Sequence, residues 1–122
     1  MSDKFLDAAR QEIQLELDEL ERIVLQCSND EDILENSKNI ERHLHKIKGL
    51  APMMGQEKVG ELAKTSDSIL NYMINKGLLP GSHPVITKTI NDMKQIFNGS
   101  DIYDVSDFKK QIRNKFPHIP DP

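Results

Sequence analysis

Tryptophan is absent, and aromatic residues make up only 5% of the 122-residue chain. Runs of β-branched residues are also few, which leaves little material for a core of stacked strands. Cys27 is the only cysteine, so an internal disulfide and a cysteine-based metal cluster are both excluded. No apolar run approaches the roughly 18–20 residues that a membrane span needs. The opening MSDKFLDAARQE lacks the apolar centre of a signal peptide. A cytoplasmic chain without membrane contact is therefore expected. No loop of the G-x-x-x-x-G-K-[ST] kind occurs, so the chain itself is not expected to bind ATP. Glu-x-x-His occurs nowhere either, which speaks against a metal-dependent enzyme of the helical-bundle type.

What is present is Leu, Ile, Glu and Lys in abundance, with 37% hydrophobic and 30% charged residues. The net charge of −4 makes nucleic acid an unexpected partner. The charge is unevenly spread. Residues 1–40 carry 11 acidic and 4 basic side chains, whereas residues 41–64 carry 3 and 5. A locally basic strip thus follows an acidic leading segment.

Apolar residues recur in steps of three and four. Leu6, Ala9, Ile13, Leu17, Leu20, Val24 and Cys27 form the stripe of a first helix, with Glu12, Glu16, Glu19 and Arg22 outside it. The acidic face is expected to be solvated, and Cys27 to be a small buried apolar residue. SNDED at 28–32 stops this helix and starts another, with Asn29 or Asp30 as N-cap. The second helix carries Ile33, Ser37, Ile40, Leu44, Ile47 and Ala51, and Pro52 and Gly55 mark its end. A third is expected over 57–76, closed by Gly77. LLPGSHP at 78–84 is a turn-rich connection, with Pro84 in the first turn of a fourth helix bearing Ile86, Ile90, Met93, Ile96 and Phe97. NGSD at 98–101 ends it, and a short fifth helix spans 105–116. The fold expected is all-α: an antiparallel up-down four-helix bundle over 1–100, with an accessory helix and a Pro-rich tail over 101–122.

The candidate chemistry lies in HLHKIKGLAPMMG, residues 43–55. Leu44, Ile47 and Ala51 point inward, which puts His45 at the border of the stripe or outside it. Glu41 and Arg42 lie one turn before His45, and Lys48, Gly49 and Pro52 lie on the turns after it. Glycine inside a helix costs about 0.5–1 kcal/mol relative to alanine, so close approach by another macromolecule is a good reason for Gly49. An imidazole beside a cation and a bare patch of backbone suits a phosphoryl group passed between proteins.

The spacing of His45, Lys48, Gly49, Ala51 and Gly55 resembles the H-x-x-K-G-x-A-x-x-x-G signature of histidine-phosphotransfer (HPt) domains. The likeness is greatest to the N-terminal phosphotransfer domain of CheA-type chemotaxis kinases, and it extends over nearly the whole chain. The resemblance implies that His45 is phosphorylated on its outward nitrogen, that Lys48 assists electrostatically and that Gly49 admits the partner. It implies a monomer whose partners are a response-regulator receiver domain and a histidine kinase catalytic domain. Mg²⁺ then belongs to the receiver and ATP to the kinase, with no cofactor or metal on this chain. Where CheA-like domains use a Glu to hold the histidine, this chain has Asp67, shorter in reach, so the bond is bridged by water or taken by Glu41. Pro52 replaces a small residue and is expected to end the helix early. The competing reading is a non-phosphorylated helical adaptor that binds receiver or kinase domains.

Other residues have plainer readings. His43, two positions from His45, faces elsewhere and cannot join it on one metal. His83 in a turn and His118 in the tail are expected to be solvated. Met53 and Met54 read as core filler near a helix end, with a further use as an apolar partner surface beside Gly49. Lys109, Lys110, Arg113 and Lys115 read as a solvated basic helix end.

Overall fold

A computed structural model describes residues 3–100 and 103–120, and among them finds six helices and no strand. These are α1 (Asp3–Leu25), α2 (Asp30–Glu35), α3 (Ser37–Met53), α4 (Glu57–Lys76), α5 (Ser82–Phe97) and α6 (Val105–Lys115). The four long helices pack in a ring, α1 on α3, α3 on α4, α4 on α5 and α5 on α1. Each stripe faces the centre of that ring, where Ile13, Leu17, Ile40, Leu44, Ile47, Leu62, Leu70 and Ile86 lose all contact with solvent. Burial of a Leu or Ile side chain contributes about 1.5–3 kcal/mol, so this core is the main source of stability. The expected boundary at residue 101 falls on residues 101–102, outside the described residues.

The single second helix expected from periodicity is two helices. Asn36 interrupts it with φ −98° and ψ 8°, and its side-chain amide donates to the Asp32 carbonyl at 2.8 Å. Asparagine bonds readily to nearby backbone and so favours helix ends, and here its side chain joins its own amide on the Asp32 carbonyl. Asn29 is the residue that caps α2, accepting from the Asp32 amide at 2.9 Å. Asp30 does something else. Its carboxylate reaches α5 and accepts from the backbone amides of Gly81 at 2.9 Å and His83 at 2.7 Å. These amides lie at the start of α5, where no helical carbonyl serves them.

Those two amides hold the Asp30 carboxyl below the usual aspartate range. Asp30→Ala is expected to lower stability by about 1–2 kcal/mol, read as a drop in Tm at neutral pH. Because the folded pKa is depressed, this contribution is full above the unfolded value and is lost as pH falls through the folded one. The Tm difference between wild type and variant should therefore shrink in acid.

Several expectations about single residues change. α1 stops at Leu25, so Cys27 lies in the connection, still buried and with its thiol pushed up by desolvation. Glu16, expected outside the stripe, is buried. His83 lies within α5, part-buried, with Nε2 2.9 Å from the Cys27 carbonyl. His118 is exposed but meets the Tyr72 ring edge-on at 5.1 Å. Gly77 closes α4 as expected, at φ 100° with its amide 2.8 Å from the Met73 carbonyl.

α6 packs on α4, and Phe108 within it and Phe116 just beyond it are buried. Lys109, expected to be solvated, pairs with Glu61 of α4 at 2.7 Å and holds that carboxyl below its usual range. Asp104 caps α6 by accepting from the Asp107 amide at 3.0 Å. Among the described residues no helix is long and apolar enough to cross a membrane.

Candidate functional site

On α3, Leu44, Ile47 and Ala51 are fully buried against the neighbouring helices. The helical period then forces His45, Lys48, Gly49 and Pro52 toward the outside. The His45 side chain is 66% exposed. Its Nδ1 faces α4, where Asp67 stands with only 3% of its surface accessible. Asp67 Oδ2 lies 3.9 Å from His45 Nδ1 and 3.0 Å from Lys48 Nζ. The first distance is too long for a hydrogen bond, whereas the second is a charge-assisted one.

Asp67 is thus the hub that ties the second turn of the site to the next helix. Lys48, read from sequence as a cation within reach of a negative group carried on His45, is paired with Asp67. Glu41 lies one turn before His45 and is half-buried. Hydrogen bonding to Asp67, helped by desolvation, raises the Glu41 carboxyl above its usual range. The cause is the second carboxyl group at close range, beside which a negative charge on Glu41 is disfavoured. Glu41, His45 and Asp67 each place a ligand atom within 4.8 Å of the others.

The other proposed docking residues are distributed around this cluster. Gly49 is exposed, and an added Cβ would meet nothing within 4 Å. Nothing inside the molecule therefore requires glycine at this position. Met53 is 50% exposed, which corrects its reading as core filler, whereas Met54 packs partly against the core. Its neighbour Pro52 does not end the helix early: α3 runs on to Met53 and caps at Met54. Proline has no amide to give the Lys48 carbonyl, so the helix here lacks one internal bond. The Pro52 ring instead packs on α4 at Gly60, where a Cβ would come within 2.9 Å of Pro52 Cγ. Gly60 is the close-approach glycine of the α3–α4 contact, and sequence reasoning missed it. Arg42 is exposed and donates to the Asn39 side chain. Beside Lys48 and Pro52 an open groove of about 920 Å³ runs toward Tyr103 and Ser106.

On the opposite side of α3 lies a second polar cluster. Buried His43 bonds through Nδ1 to Glu16 of α1, and Lys46 Nζ reaches the same carboxylate at 3.2 Å. Burial pushes the Glu16 carboxyl up, but these hydrogen bonds outweigh it and hold it below its usual range. No local pattern announced this cluster, because its members are 27 and 30 residues apart.

The family model of the Hpt domain matches residues 3–99. The chain belongs to the Hpt domain family. It is therefore a histidine-phosphotransfer module of the phosphorelay kind, and Hpt domains generally pass phosphoryl groups to response-regulator receivers. No curated protein and no solved structure matches the chain significantly. The match takes in α1 to α5, and α6 lies beyond it.

Proposed function

We propose that this Hpt domain carries its phosphoryl group on His45, in an up-down four-helix bundle of the CheA-like kind, between a kinase catalytic domain and a receiver aspartate. The observation that carries the reading is the His45 ring. It stands two-thirds exposed on α3 with Nδ1 turned to the Asp67 carboxylate, beside Lys48 and the bare backbone at Gly49. In that orientation Nε2 is the outward nitrogen. Its lone pair attacks phosphorus, the N–P bond forms, and the P–O bond to ADP or to the donor's aspartate breaks. The Nδ1 proton stays on the ring, facing the negative Asp67 side chain. Mg²⁺ comes with the receiver and ATP with the kinase.

The test is phosphotransfer to the purified chain from a kinase core with ATP and from phosphorylated receivers. Acid-labile, base-stable label that maps to His45 supports the reading. Label at another residue, or none on a chain shown to bind the receiver, overturns it in favour of the adaptor.

Gly49 separates docking from chemistry. Gly49→Ala is expected to stabilise the domain by about 0.5–1 kcal/mol, because helical φ is kept and the added methyl meets open space. Gly49→Gln should slow receiver-dependent transfer roughly 10- to 100-fold by holding the partner off. Labelling by phosphoramidate, too small to need the docking face, should be unchanged. Tm and the two transfer rates check these outcomes.

A further inference from the structure

We infer that Glu41, His45 and Asp67 form a site for a divalent transition metal of the zinc class, and that its occupancy suppresses phosphoryl acceptance. The suppression, though not the binding, rests on the carrier reading above. Zinc holds nitrogen and oxygen ligands at about 2.0–2.2 Å, so tetrahedral neighbours stand about 3.4 Å apart. The three donor atoms already lie within 4.8 Å of one another. Rotations of the exposed imidazole and the half-buried Glu41 side chain close the remaining gap. Glu41 and His45 share one helix face at the i, i+4 spacing, and Asp67 supplies a fixed third ligand from α4.

A second observation points the same way. Asp67 Oδ1 is buried and meets no N–H or hydroxyl donor, while Oδ2 of the same carboxylate faces both Lys48 and His45, and the Glu41 carboxyl stands beside them. Two adjacent carboxyl groups with a single ammonium against one of their oxygens leave a place where added positive charge is favoured. The Lys48 ammonium serves only Oδ2, and its side chain, 35% exposed, is free to swing into solvent. A divalent ion neutralises both carboxylates at once. One imidazole with two carboxylates suits zinc, whereas Mg²⁺ prefers an octahedral shell of oxygens. Bound at Nδ1, the metal draws electron density from the ring and displaces Lys48. The outward nitrogen then becomes a poorer nucleophile.

The experiment is titration of the purified chain with Zn²⁺ against a chromogenic chelator, with folding checked by circular dichroism. One equivalent should bind wild type, and affinity should fall at least about tenfold in His45→Gln and in Asp67→Asn. His45→Gln changes an exposed side chain, so its fold is retained even if Asp67→Asn is disturbed. His118→Gln, in the tail, should bind as wild type, and Mg²⁺ at the same concentration should not compete. Absence of zinc binding, or equal binding by His45→Gln, overturns the site. Zinc bound with transfer undiminished overturns the suppression. Binding that depends on His45 in a chain that never takes label upholds the site and refutes the carrier reading instead.

Discussion

Changing His45 to Gln is expected to leave a folded protein that takes no phosphoryl group. The side chain is 66% exposed, and its contact with the protein is the 3.9 Å approach to Asp67. Loss of an exposed group of this kind changes stability by no more than about 0.5 kcal/mol. Glutamine keeps much of the shape and a polar end, but its amide nitrogen has no lone pair to offer phosphorus. Transfer should fall by about 10³-fold or more, the order expected when a nucleophile is removed. The neighbouring histidine cannot substitute. His43 is two positions away, which turns it about 200° round the helix, and it is buried against Glu16. The measurement is acid-labile label per mole of folded protein, for wild type and variant, from the same donor. Label retained by His45→Gln would move the acceptor elsewhere.

The parts of this site that lie on one helix were legible in the sequence. The spacing of Leu44, Ile47 and Ala51 fixes the inward face, and His45, Lys48 and Gly49 follow as outward residues. Asp67 was reachable only through its offset from His45 in a resembling family, because no local pattern joins α3 to α4. Its pairing with Lys48 was missed for the same reason. Gly60 carried no signal at all, since its partner is the Pro52 ring on another helix. The break at Asn36 was hidden because Ile33, Ser37 and Ile40 continue the buried stripe straight through it. Apolar periodicity reports faces, and a change of backbone angles at one residue leaves the faces unchanged. Glu16 was misread by the converse rule. A carboxylate beside a stripe is usually solvated, and only a partner from another helix makes burial acceptable.

That partner makes Glu16 the second large effect. Glu16→Leu should leave His43 buried with no acceptor and lower stability by about 3–5 kcal/mol. At roughly 4 °C per kcal/mol for a domain of this size, Tm should fall by about 12–20 °C. Glu16→Leu with His43→Leu should recover most of that loss, because replacing both members of a buried pair with apolar groups is often neutral. A double-mutant cycle by urea and thermal unfolding checks both outcomes. The pH dependence has a defined sign. Hydrogen bonds hold the folded Glu16 pKa below its unfolded value, so the contribution is complete above the unfolded value and disappears as pH falls through the folded one. Wild type should therefore approach the single variant in acid. The pair also bears on the site. Anchoring His43 inward on α1 sets the rotation of α3 about its own axis, and the helical period then carries His45 to the far side, facing Asp67 on α4. The double-Leu variant keeps that inward anchor by apolar packing. It should thus accept phosphoryl groups at close to the wild-type rate, whereas the single variant should lose transfer in step with its folded fraction.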